Sequence, residues 1–176
     1  MTEVRSVDEV VEIFRERLGD AIKEIKIKEG KAGAKHNRIY HDLYIRLDRK
    51  ALRQAVRLLD ELQKYPHLTV ISGVDLGEEI ELLYHFNLYY THRHKEIMTT
   101  ICVGLPKSDP KVDTITDIVP GAIWQEREKM EMLGIEVVNI PDSRRLLLPE
   151  DFPEGVYPWR RDEKGADHLT KKLWEV

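Results

Sequence analysis

Apolar residues recur every three or four positions in three stretches of the chain and at alternate positions in five others. The first helical stretch opens with Ser6 and Glu9, a spacing at which hydroxyl and carboxylate each satisfy a free backbone N–H. Val10, Val11, Phe14 and Leu18 then share one face, and Gly19 supplies the stop. A strand follows with Ile25 and Ile27 on one side and Lys26 and Lys28 on the other. The Gly-rich run from Gly30 to Lys35 reads as a loop. Arg38 to Leu47 alternates Ile39, His41, Leu43, Ile45 and Leu47 against Tyr40, Asp42, Tyr44 and Arg46, the pattern of a half-buried strand. Asp48 is placed to cap a second helix with the stripe Ala51, Leu52, Ala55, Val56, Leu59 and Leu62, ended by Tyr65-Pro66.

Three more strands are expected over Leu68–Val74, Glu79–Tyr90 and Glu96–Leu105, joined by short polar turns that imply antiparallel hairpins. In the middle one, Ile80, Leu82, Tyr84, Phe86, Leu88 and Tyr90 share a face. Pro120 suits the first turn of a third helix through Ile123, Trp124, Arg127, Met130 and Leu133, with Gly134 as its stop. The expected fold is α+β: an antiparallel-rich mixed sheet with helices packed on one face.

From about Val137 the periodicity stops. Residues 141–176 hold four of the eight prolines, two Arg pairs and two of the three tryptophans. Leu146, Leu147, Leu148, Phe152, Tyr157, Trp159 and Trp174 are anchors that disordered segments lack. Arg and aromatic enrichment is what a protein interface prefers. The chain therefore divides into an α+β domain, residues 1–140, and an extended C-terminal docking arm, residues 141–176, with nothing of its own to pack on.

Composition narrows the chemistry. At 176 residues the chain fits one domain, and a chain of this size buries about 70% of its unfolded surface without staples. A net charge of -4 argues against a dedicated nucleic-acid binder. A single cysteine, Cys102, excludes an internal disulfide or a cysteine-ligated cluster within the chain. No apolar run reaches the roughly 20 residues of a membrane span, so a soluble intracellular domain is expected. Asn and Gln together number six, beside abundant Glu, Lys and Arg, which fits a thermophilic source.

Few residues present chemistry. His92 and His94, with His85 on the preceding strand, form the one metal candidate and the basis of an alternative reading as a small metal-dependent enzyme. Exposed histidines at a hairpin tip are the plainer reading. Glu126 and Glu128 flank Arg127, but helical positions two apart point about 200° from each other, so they are no acid–base pair. Arg127 occupies the apolar stripe. Its stem either lies along the core, or its guanidinium forms a buried ion pair that fixes the arm, to Asp142 or Asp162. Tyr89-Tyr90 with the basic residues between Lys23 and Arg38 imitates a base-stacking sheet, but alternation assigns the aromatics to the core.

The run Trp124-Gln125-Glu126-Arg127-Glu128-Lys129-Met130-Glu131-Met132-Leu133-Gly134-Ile135 resembles the signature helix of the 30-kDa subunit of NADH:quinone oxidoreductase, respiratory complex I. The following Pro141-Asp142-Ser143-Arg144-Arg145-Leu146-Leu147-Leu148-Pro149-Glu150-Asp151-Phe152, then Gly155 and Pro158-Trp159-Arg160-Arg161-Asp162, are similar too. The likeness covers about residues 115–162. Glu131, Ile140 and Ser143 depart from the family's usual Asp, His and Leu, as a distant branch would. The same family occurs in energy-converting membrane-bound [NiFe] hydrogenases.

The resemblance implies a non-catalytic subunit without cofactor, peripheral on the cytoplasmic side of the membrane. Its expected partners are the large [NiFe]-hydrogenase-like (49-kDa-type) subunit and neighbouring iron–sulfur subunits, not nucleic acid. The candidate partner-binding residues are Glu126, Arg127 and Glu128 on the helix and Asp142, Arg144, Arg145, Trp159, Arg160, Arg161 and Asp162 on the arm.

Overall fold

A computed structural model describes residues 4–33 and 38–169. The first helix, α1 (Val7–Leu18), has the expected capping box: Glu9 N–H donates to the Ser6 hydroxyl while the Glu9 carboxylate accepts from Ser6 N–H. Gly19 ends it at a positive φ of 48°. Strands β1 (Ile22–Ala32) and β2 (Arg38–Leu47) pair antiparallel. Asp48 caps a short 3-10 turn, Arg49–Ala51, which leads into α2 (Leu52–Leu62). Strands β3 (His67–Asp75), β4 (Glu79–Leu88) and β5 (Ile97–Pro106) form the expected antiparallel meander.

The five strands lie in the order β1-β2-β5-β4-β3, with β2 and β5 parallel and every other pair antiparallel. This is an α+β mixed sheet of mostly antiparallel strands. The helical crossover through α2 carries the chain past two strand positions to β3, and β4 and β5 fill the gap by returning as hairpins. Leu43, Ile45 and Leu47 of β2 and Ile80, Leu82, Tyr84, Phe86 and Leu88 of β4 bury one sheet face. Phe14 of α1 and Leu52, Ala55, Val56 and Leu59 of α2 close over that face. The helical and alternating periods thus converge on one core.

Two local expectations need correction. The Gly-rich run is not all loop, because β1 continues through Gly30, Lys31 and Ala32. Gly30 pairs with Tyr40, whose ring occupies the space a Cβ would need. An aromatic ring laid over a strand glycine replaces the side-chain contact that glycine lacks. The last two residues of that run, Ala34 and Lys35, lie outside the described residues. Tyr90 also leaves the core face assigned to it. The strand stops at Leu88 and Tyr89 takes a φ of 57°, which buries Tyr89 and leaves Tyr90 42% exposed. The buried Tyr89 N–H donates to the Gln63 side-chain carbonyl.

The third helix, α3 (Ala122–Leu133), sits between two short parallel strands, β6 (Lys111–Asp113) and β7 (Glu136–Val138), which the pattern did not reveal. Three-residue strands are too short to show alternation. Arg53 of α2 anchors the connection into α3 through paired bonds of 2.7 Å to Asp117 and a bond to the Thr114 carbonyl. α3 runs beside β3, the edge strand. There Gln125 accepts the outward-facing Ile71 N–H, and Gly73 leaves room for Leu133. An edge strand covered in this way cannot recruit a foreign strand. Gln125→Ala should cost about 1–2 kcal/mol in urea denaturation by orphaning the Ile71 N–H. Gln125→Glu, which keeps an acceptor, should recover most of it.

Candidate functional site

The face and C-terminal end of α3 organise everything that follows them. Arg127 and Glu131 are one helical turn apart and face the same way. The Arg127 guanidinium donates to the carbonyls of Arg144 (2.8 Å) and Arg145 (2.9 Å) and pairs with Asp142 at 3.2 Å. Glu131 accepts the N–H groups of Leu146 and Leu147, the latter at 2.8 Å. Two side chains of one helix thus fix the chain from Asp142 to Leu147. Of the two partners the sequence left open for Arg127, the structure selects Asp142.

The end of α3 is capped by the same segment. Gly134 adopts the left-handed conformation with φ 69°, and the Tyr157 ring packs where a Cβ would stand. The Trp159 N–H donates to the Met132 carbonyl (2.9 Å) and the Arg160 guanidinium to that of Leu133 (3.3 Å). A cation and an N–H there satisfy the carbonyls a helix leaves open and complement its dipole. Lys129 lies 4.9 Å from the centre of the Trp159 ring.

Arg160, 7% exposed, belongs to a buried charge cluster. It bonds Asp162 at 2.6 Å, and Lys107 bridges Asp162 (2.7 Å) to Asp75 (2.8 Å). Asp75, at the end of β3, also accepts the N–H of Arg161 (2.8 Å) and of Gly77 (2.9 Å). Burial pushes the Asp75 pKa upward, but the Arg161 N–H and the Lys107 ammonium outweigh it and the net shift is downward. Hydrogen bonds from Arg144 hold Asp142, and those from Arg160 hold Asp162, well below the usual carboxylate range. Asp75 and Lys107 escaped sequence reasoning. Asp75 lies 86 residues from Arg161, and neither shows a local pattern.

The described part of the arm therefore packs on its own domain, which corrects the expectation that it has nothing to pack on. Glu126 is turned away from the arm: it is 2% exposed and accepts Thr114 Oγ1–H (2.5 Å) and Ile115 N–H (2.9 Å). Its pKa is raised by that burial, against the opposing hydrogen bonds. Glu128 pairs with Lys129. Arg127, Arg160, Asp142 and Asp162 are engaged inside the fold, whereas Arg144, Arg145, Trp159 and Arg161 are exposed, Arg145 while donating to the carbonyls of Pro149 (2.8 Å) and Phe152 (3.0 Å). The side chain of Arg144 is 85% exposed. Trp124 and Leu147 add exposed apolar surface. The Trp174 anchor lies outside the described residues.

The structure does not assemble the histidine site. His85 bonds Thr100 Oγ1 at 3.0 Å within the sheet, while His92 and His94 lie in the turn beyond β4. Among the described residues no group of His, Cys, Asp and Glu could hold a metal ion. Burial pushes the Cys102 thiol up to about 11, the state of an inert core thiol.

Residues 45–168 match the family described as respiratory-chain NADH dehydrogenase, 30 Kd subunit. The chain is 35% identical over 153 residues to the beta subunit of the membrane-bound hydrogenase of Pyrococcus furiosus, covering 87% of this chain and 83% of that one. It is 37% identical over 106 residues to a subunit of the NADH-quinone oxidoreductase of Chloroherpeton thalassium, covering 60% of this chain and 42% of that one. Its fold is similar to a chain in the structure of the membrane-bound sulfane sulfur reductase, an archaeal respiratory membrane complex. There the TM-score is 0.69 at 20% identity, over 95% of this chain and 86% of that one.

The anchoring geometry sets expectations for both mutation and acid. Arg160→Ala should destabilise the whole domain by about 3 kcal/mol in urea denaturation, since it strips a buried carboxylate pair of one cation and α3 of its cap. Acid should release the segment. Asp75, Asp142 and Asp162 are all held below the free carboxylate value of 3.8, so their stabilisation is complete above that pH and is lost as pH falls below it. Hydrogen exchange across residues 142–162, measured down a pH series, should show protection lost there before it is lost in β4 and β5.

Proposed function

Because this chain belongs to the family of the respiratory-chain NADH dehydrogenase 30-kDa subunit, we propose that it is a peripheral-arm subunit of a membrane-bound, ion-translocating redox complex. The complex is of the membrane-bound hydrogenase or complex I-like type. In this reading the chain has no catalytic centre of its own. It docks on the large [NiFe]-hydrogenase-like subunit beside iron–sulfur subunits and stabilises the electron-transfer module on the cytoplasmic side of the membrane. No helix among the described residues is long and apolar enough to cross a membrane. In this reading membrane attachment runs through the partners.

The observation that carries the proposal is the anchoring of an irregular segment. Between Asp142 and Asp162 the described chain has no helix or strand, yet its backbone is bonded to α3 and β3 at both ends. An irregular segment this long inside a domain is usually functional. Its anchors face inward, and its exposed arginines and tryptophan face outward. Arg145 is exposed, but it donates to the Pro149 and Phe152 carbonyls and so also holds the segment. That leaves Arg144, Trp159 and Arg161 as the contact set, and gives Arg127, Arg145, Arg160, Asp142 and Asp162 the task of presenting them. Arginine and tryptophan are the side chains that dominate binding energy at such interfaces.

The test is purification of the tagged chain from cells that express the whole complex. Arg144→Ala combined with Arg161→Glu should lower the amount of large subunit recovered by about ten-fold, equivalent to about 1.4 kcal/mol. The melting temperature of the isolated chain should stay within about 2 °C, because Arg144→Ala removes only a solvent-exposed pair with Asp142, whose bonds from Arg127 and the residue-144 N–H remain, and the residue-161 N–H bond to Asp75 is kept. Undiminished recovery would overturn this docking surface. A set of [NiFe]-ligating cysteines in the recovered large subunit would mark a hydrogenase, and their loss a different redox complex.

A further inference from the structure

The two edges of the five-stranded sheet are treated differently. β3 is covered by α3 and by the Arg161 backbone, as described above. β1 forms the opposite edge, and among the described residues it pairs with β2 alone. It is 11 residues long, so its outer side carries a row of backbone N–H and C=O groups with no strand beside them. It is also the basic part of an acidic chain, with four lysines against two glutamates where the net charge is -4. Lys26 pairs with Glu24 at 2.8 Å, and Glu29 lies 3.9 Å from His41. Lys23, Lys28 and Lys31 form no ion pair among the described residues. Ile27, 43% exposed, interrupts this charge with apolar surface.

We propose that β1 is a strand-addition site, taking an extended acidic segment of another subunit as a sixth strand. Main-chain hydrogen bonds would supply the affinity, and carboxylates opposite Lys28 and Lys31 the selectivity. Lys26 and Lys28 share one face of β1 and Ile27 and Lys31 the other, which asks for a carboxylate on each face of the incoming strand and an apolar residue opposite Ile27. A second copy of this chain would bring four lysines and only two glutamates to the same edge, one of those glutamates already paired with Lys26, so it fits less well than an acidic strand. Lysines on an edge repel foreign strands in general, and the same charges admit an acidic one. The proposal rests on the reading that the chain works inside a multi-subunit complex. It concerns the sheet edge opposite the one that α3 and the anchored segment cover.

Hydrogen exchange of the intact purified complex against the isolated chain tests it. Amides at alternate positions of residues 22–32, those on the outer side of β1, should exchange at least about ten-fold more slowly in the complex. Lys28→Glu combined with Lys31→Glu should abolish that slowing while leaving the isolated chain's melting temperature unchanged. Equal exchange in complex and isolated chain would overturn the proposal, even with every subunit present. So would slowing that survives the double substitution. Protection that appears in the isolated chain as its concentration and mass rise together would assign the edge to a second copy instead. A chain that purifies with no other subunit removes the premise, and then the reading in Proposed function fails together with this one.

Discussion

The buried bridge from Asp75 through Lys107 to Asp162 and Arg160 is the contact on which the C-terminal half of the molecule depends. It joins the last residue of an edge strand, the residue just past the end of β5, and an irregular segment far along the chain. Isolated, any one of these charges would be costly to bury. Together they are paired and further satisfied by the backbone N–H groups of Gly77, Arg161 and Lys164. Arg160 extends the bridge to the end of α3, where it completes a helix terminus that would otherwise expose its carbonyls. One cluster thus satisfies the open backbone of the helix end and ties the last residue of the edge strand to the same segment.

This arrangement explains how a segment without secondary structure is held in one shape. A loop orders when its backbone groups find partners that outweigh the lost chain entropy. Arg127 and Glu131 provide donors and acceptors in the spacing of one helical turn, and residues 144–147 return the complementary groups. The side chains of Arg144 and Arg161 then stand outside the packed core. That separation is what a preorganised binding surface requires, since a contact set already in place loses little freedom on docking.

The family resemblance was visible in the same residues that the structure shows to be structural. Arg127, Asp142 and Arg160 mark the motif, and each is turned inward to hold the segment or cap the helix. The candidate set read from the sequence therefore mixes two kinds of residue. No single-chain pattern tells an arginine that fixes a backbone from one that is free of it, because both sit in the same motif. The folded packing separates them: Arg127, buried, and Arg145, exposed, both hold backbone carbonyls.

Residue pattern alone determined the helices, the long strands, the α+β class and the capping box of α1, because these rest on periods and spacings within a dozen residues. It also determined that Arg127 departs from an apolar stripe. The tertiary structure alone decided that β1 extends through Gly30, that Tyr89 and not Tyr90 enters the core, and that β6 and β7 bracket α3. It likewise decided that Asp75 and Lys107 hold the C-terminal segment. Most of these turn on a partner from another element: Tyr40 over Gly30, Gln63 beneath Tyr89, Arg161 on Asp75. Local periodicity carries no record of which distant groups meet, and here those meetings decide which charges are buried as supports and which remain exposed.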